Sequence, residues 1–237
     1  MLQYNDYGAL NQIFIMCFST TASFGASAIL LGIGLISIKN SESRAQIFLA
    51  SIPILLSIQQ IFEGVLWLSI SNPSYLEWVK PSTYGFLLFA QVIWPIFIPL
   101  ALLFLEKEPI RKNALIYFVA FGLTQALLMG YGLVAFPAES SISGTHIRYD
   151  MSFPAANNWY GGVFYLLATS VSPFFSSIKR IRLIGVIILF TYLFTRVFYE
   201  NYVISIWCYF AALISIVILL VSLKFKKTTK LNLLIKE

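Results

Sequence analysis

Cysteine and histidine are nearly missing from this chain. Two cysteines, Cys17 and Cys208, are too few for a disulfide framework or a thiolate metal site, and a single histidine, His146, is too few for a three-histidine zinc centre. Charge is scarce as well: 11% of the 237 residues are charged, against about 25% in a soluble domain. No Lys or Arg precedes Lys39, so the basic region that opens a cleavable secretory signal is missing. No stretch is long and polar enough to form a separate soluble domain. No internal repeat is visible, which leaves an inverted-repeat transporter without support. The last apolar segment holds no lysine for a Schiff base, which disfavours a retinal protein.

What fills the chain is apolar. Hydrophobic residues make up 59% of it, and the mean hydropathy is +0.81. Seven apolar segments, roughly 16–38, 46–70, 84–105, 113–135, 159–178, 183–201 and 203–223, approach the length of about 20 residues that spans a bilayer. The expected fold is therefore an all-α, seven-transmembrane-helix bundle. Trp94-Pro95 and Pro99 predict a kink in the third segment.

Of the 16 Lys and Arg residues, 13 fall in the loops after segments one, three and five or in the C-terminal tail. Basic residues gather on the cytoplasmic side, so the N-terminus is expected outside and the C-terminus in the cytoplasm of a multi-pass plasma-membrane protein. The net charge of +6 is thus a topology signal and not a nucleic-acid footprint. Residues 16–223 form the expected membrane domain, 1–15 an extension, and 224–237 a basic tail suited to anionic lipid.

Depth can be counted from the basic ends at about 1.5 Å per residue. Glu63 lies roughly 28 Å from the inner edge, with Gln59 and Gln60 a turn lower. Ser23, Gln91, Gln125, Arg196 and Trp207 fall at roughly 20–26 Å. The hydrocarbon core is about 30 Å thick, so polar side chains from most spans collect in its outer half. The inner half is mostly aliphatic and Phe. This asymmetry predicts a polar pocket open to the outside and closed toward the cytoplasm, where buried polar groups meet one another and water.

Within SIQQIFEGVLW, residues 57–67, Gln59, Glu63 and Trp67 recur at i, i+4 and i+8 and share one helical stripe, with Gln60 beside it. Gly64 permits a close helix neighbour. The stripe reads as a ligand or ion site charged by Glu63, or as a structural hydrogen-bond network locking the bundle. Arg196 and Glu200, at i and i+4, form a local pair, or Arg196 reaches inward to neutralise Glu63; the third option is a protonated Glu63. Thr20, Ser23 and Ser27 share one side of the first span, as a packing surface or as ligand contacts. The long outer connection from about 136 to 158 contains His146 and Tyr149, a candidate lid without regular structure or a solvated loop. Trp94 and Trp207 either line the pocket or belong to the aromatic belt.

Together these residues resemble an uncharacterised bacterial family of small polytopic membrane proteins. The matching stretches are MCFSTTASF at 16–24, IPILLSIQQIFEGVLW at 52–67, FAQVIWP at 89–95, HIRY at 146–149, YLLAT at 165–169 and IWCYFAA at 206–212. Thr20 departs from the alanine usual in that family. The resemblance supports the fold and the choice of residues, implies no activity, and suggests that the family's chain begins near Met16.

The function expected from the residues is binding, with or without translocation, of a small polar solute, ion or lipid headgroup. Glu63 and Arg196 would supply charge, the glutamines hydrogen bonds, and the tryptophans stacking faces. Two alternatives stand beside it. One is a membrane-embedded hydrolase-like enzyme near the outer leaflet, for which no nucleophile–base spacing is visible; the other is a seven-helix sensor. No cofactor, metal or nucleic acid is expected, and the bilayer is the expected partner.

Overall fold

The computed structural model describes residues 19–144, 146–157, 159–198 and 213–227. Four stretches are helical, long and apolar enough to cross a bilayer: Thr20–Lys39, Arg44–Ser71, Pro73–Leu105 and Pro109–Ala135. The first is α1 (Thr20–Lys39), opened by the Ser19 hydroxyl, which accepts the Ala22 N–H. The second breaks at Ser51 into α2 (Arg44–Ala50) and α3 (Ile52–Ser71), just ahead of Pro53, which has no N–H for the helix ladder. The third begins as a 3-10 turn, Pro73–Trp78, continues as α4 (Val79–Leu87) and a π turn, Leu88–Ile93, and ends as α5 (Trp94–Leu105). The fourth is α6 (Pro109–Ala135).

Further helix follows. After a short α7 (Pro154–Asn157), α8 (Trp159–Leu166) runs through a π turn, Leu167–Val171, into a 3-10 turn, Ser172–Phe175. Then come α9 (Lys179–Phe198) and α10, residues 213–227. Two of these differ from the first four for plain reasons: α8 is interrupted by its π and 3-10 turns, and α9 carries Lys179, Arg180, Arg182 and Arg196.

The expectation of an all-α chain needs one correction. The connection after α6 is not irregular. It is an antiparallel hairpin of β1 (Ala138–Ser143) and β2 (His146–Met151), paired from Ala138↔Met151 to Ser143↔His146. Gly144, at φ +63, occupies the left-handed conformation that its tight turn needs. The hairpin is seated on α4: Thr83 and Ser140 share a hydroxyl hydrogen bond at 2.7 Å, the Ala138 N–H donates to the Tyr84 hydroxyl at 3.2 Å, and the Phe86 and Tyr149 rings stack at 4.8 Å.

The spans are inside out relative to a soluble protein. On α3 the buried face holds Ser57, Gln59, Gln60, Glu63 and Ser69, while Ile58, Ile61 and Leu68 face outward. On α1 the buried face is Ser23, Ser27, Leu30, Gly34 and Ser37, and Ile29, Leu31, Leu35 and Ile36 are outside. On α6 Leu127 is 73% and Val134 89% exposed while Gln125 is buried. Water would penalise this arrangement; hydrocarbon favours it, because outward apolar groups lose nothing and inward polar groups find one another.

Two apolar cores stack along the bundle. One, toward the basic end, joins Leu56, Trp94, Leu102, Leu115, Ile181 and Ile218. The other, beneath the hairpin, joins Leu66, Trp67, Phe86, Met129, Tyr149 and Phe153. At the basic end, buried Glu106 ties two loops together. Its Oε1 accepts the Lys107 and Glu108 N–H groups at 2.9 and 3.0 Å, and its Oε2 accepts the Ser177 N–H at 2.7 Å. Burial pushes this carboxyl's pKa up, but the backbone donors of Glu108, Ser177 and Lys107 outweigh it and hold the group below its ordinary value.

Candidate functional site

The centre of the site is built on α3, which meets α1 through Ser57 and α5 through Gln59. α1 runs antiparallel to α3, and the Ser27 and Ser57 hydroxyls touch at 2.9 Å, with Ser57 also donating to the Ser27 carbonyl. Gly64 lies against the Phe24 ring. This packing turns the Gln59–Gln60–Glu63 stripe away from lipid. Gln59 is 0% and Glu63 4% exposed.

Across from that stripe, the Trp94 indole N–H donates to Gln59 Oε1 at 2.6 Å, both side chains buried. Trp94 is placed by the prolines around it. Pro95 brings no N–H to the turn ahead of it, and that turn, Leu88–Ile93, is wound as a π helix with Gln91 inside and buried. Pro99 likewise has no N–H for the Pro95 carbonyl. That carbonyl faces Gly122 on α6, where a Cβ would stand 1.9 Å from its oxygen. Only a glycine Cα–H fits there, a contact of the weak C–H···O kind.

The predicted site residues therefore fall into two levels. Gln59, Gln60, Glu63, Gln91 and Trp94 belong to a mid-bundle polar layer on α3 and the α4–α5 span, and Ser23 is buried on the adjoining α1. Trp67 and Tyr149 belong to the apolar core beneath the hairpin, and buried His146 opens β2 beside it. Burial alone pushes the His146 pKa below its ordinary 6.5. Glu200 and Trp207 lie outside the described residues, as do Cys17, Cys208 and the Arg196 side chain.

Three residues join the site that the sequence reading left off its list. Gln125, one turn beyond Gly122, is buried, and its Oε1 finds no donor among the described residues. Thr169 and Ser170 are buried within a second π turn, again just ahead of a proline, Pro173. The signal for Gln125 was its depth. The signal for Thr169 was a proline four residues on. Trp67 Nε1 also finds no acceptor among the described residues.

The chain's sequence from 16 to 232 matches the pattern of a family of unknown function, DUF6629. The chain belongs to that family. Neither the curated proteins nor the solved structures compared with it give a match. The DUF6629 match spans the polar layer, the hairpin and both π turns, but it brings no activity with it, so chemistry must be argued from the layer itself.

Open space is found at two places along the bundle. A groove of about 560 Å³ sits at the hairpin end between α4 and β1, lined by Lys80, Thr83, Tyr84, Phe136 and Glu139. A second cavity, of about 70 Å³, lies inside the bundle on the basic side of the polar layer, with Trp94, Tyr165 and Thr169 in its lining. Among the described residues, no group of three or more His, Cys, Asp or Glu gathers.

Proposed function

We propose that this is a plasma-membrane protein of seven spans, N-terminus outside and C-terminus cytoplasmic, whose buried polar layer binds a small polar solute, ion or lipid headgroup. The observation carrying this reading is the Gln59–Trp94 hydrogen bond one turn from Glu63, a carboxylate closed off in a stripe with two glutamines. An ionisable side chain within a span is costly and marks a functional site by default. Gln125 Oε1 and Trp67 Nε1, without partners among the described residues, add hydrogen-bonding capacity to the same bundle. The π turns on two spans support it too, since such turns concentrate at functional sites.

The test uses protein reconstituted in liposomes, with choline, glycerol phosphate and zwitterionic amino acids as radiolabelled probes. Uptake or retention above empty liposomes is expected for at least one probe. Glu63→Leu should insert and remain monodisperse yet lose that signal. Retention at the wild-type level in Glu63→Leu would remove Glu63 from the site.

A further inference from the structure

The cavity on the basic side of the polar layer deepens that reading, on which it rests. Its walls are aliphatic and come from separate helices: Leu56 on α3, Ile98 on α5, Ile184 and Ile188 on α9, and Ile214 and Ile218 on α10. Its polar boundary is Trp94, Tyr165 and Thr169. Along α5 it runs from Trp94 to Leu102, eight residues or about 12 Å of helix rise. A slot of this shape suits neither water nor a free polar solute, because water needs two to four polar partners and the walls provide none. A linear hydrocarbon chain asks nothing of the walls except contact. The spans that form the slot also face outward with Leu, Ile, Val and Phe, so an alkyl chain is the molecule that surrounds them in a bilayer.

At the polar boundary the Trp94 indole is already held by Gln59, and the Thr169 hydroxyl donates to the Tyr165 carbonyl at 2.8 Å. Each is therefore fixed in place, one side of the slot's mouth facing amide and hydroxyl groups and the other facing methyls. We propose that the slot takes the first few methylenes of one acyl chain of a bilayer phospholipid, with the chain's polar end at Trp94, Tyr165 and Thr169. The ligand of the polar layer is then the head of an amphiphile and not a free solute.

The experiment uses the full chain in nanodiscs containing phosphatidylcholine with a diazirine on one acyl chain. After photolysis, adducts are mapped by mass spectrometry. Adducts on Leu56, Ile98, Ile184 or Ile214 are expected in addition to those on outward residues such as Ile29 and Leu127. Ile184→Trp, which fills the slot, should lose the slot adducts and keep the outward ones. If that variant does not fold, brominated acyl chains replace the diazirine, and Trp94→Phe should remove a distinct share of the tryptophan quenching. Adducts confined to outward faces, or quenching unchanged by Trp94→Phe, overturn the proposal. Glu63 is outside the slot's walls, so Glu63→Leu should keep the slot adducts. Slot adducts without any Glu63-dependent uptake or retention sink the polar-layer reading alone; Glu63-dependent signal without slot adducts sinks the acyl-chain reading alone.

Discussion

Gln59 and Trp94 show how single side chains hold the middle of this bundle. Their hydrogen bond joins α3 to α5 where both are buried, and interhelical polar contacts in membranes contribute about 0.6–2 kcal/mol. Trp94→Phe removes the donor and keeps the ring, and should lower stability by about 1 kcal/mol. In a double-mutant cycle with Gln59→Leu, the pair should cost less than the sum of the singles; thermal unfolding in detergent reads both numbers, and strict additivity would show the bond to be energetically idle. Gly122 makes the complementary case, where a side chain must be missing. An added methyl meets the Pro95 carbonyl, which is backbone and cannot swing aside. Gly122→Ala should cost about 1–3 kcal/mol. Gly25→Ala, which meets nothing within 4 Å, is the control and should be neutral or stabilising. Equal midpoints for the two variants would mean that the helices separate without penalty.

At the scale of elements, four long spans were legible, and so was the place of the break in the third, but not the form that the break takes. Apolar runs announce α1, α3 and α6 because any span must be apolar over its length. Pro95 announces a disturbance, but a proline fixes only which N–H is lost; whether the chain answers with a bend or a π turn is settled by what packs beside it. The hairpin was hidden for another reason. Its strands are six residues each, and its alternation shows only in β2, where Ile147 and Tyr149 are buried and Arg148 and Asp150 exposed. The Ser-Gly pair at the turn was the available cue. What pins the hairpin is tertiary: Tyr149 on Phe86, and Ser140 on Thr83. Buried His146 makes this element acid-sensitive. Its pKa in the fold lies below the ordinary 6.5, so the unfolded segment binds the proton more readily. The stability it allows is fully present above pH 6.5 and is lost as the pH falls through the folded value. Hydrogen exchange of β1 and β2 amides should therefore quicken between pH 7.5 and pH 5 relative to those of α3 after correction for intrinsic rates, and His146→Phe should flatten that difference. An unchanged profile in the variant would assign the acid response to other groups.

For the whole molecule, helix spacing decides which side chains share a face, and packing decides where space remains. Residue spacing places Gln59, Gln60 and Glu63 on one buried stripe, because the turn per residue of a helix is constant. Such counts say nothing about voids, which depend on how the helices fit, so the apolar slot on the basic side had no signal in them. Orientation in the bilayer is likewise a property of the entire chain, carried by no single residue. The two ends of the bundle contrast: Lys39, Arg44, Lys107, Arg111, Lys112 and Lys179 lie at or beside the helix ends on the side of the Glu106–Ser177 clamp, while the hairpin end offers Lys80 and Arg148, the latter paired with Asp150 at 2.8 Å. Translocating the first cluster would carry many uncompensated charges across the bilayer, so the basic end is expected to stay in the cytoplasm. With Cys17 and Cys208 replaced by serine, Ser141→Cys on exposed β1 should react with a membrane-impermeant maleimide on intact cells. Glu42→Cys, in the loop between α1 and α2, should react only after lysis. The reverse pattern would invert the orientation and place the hairpin groove, with Lys80 and Glu139 in its lining, in the cytoplasm, and labelling of both sites on intact cells would mean that these loops do not lie on opposite sides of a membrane.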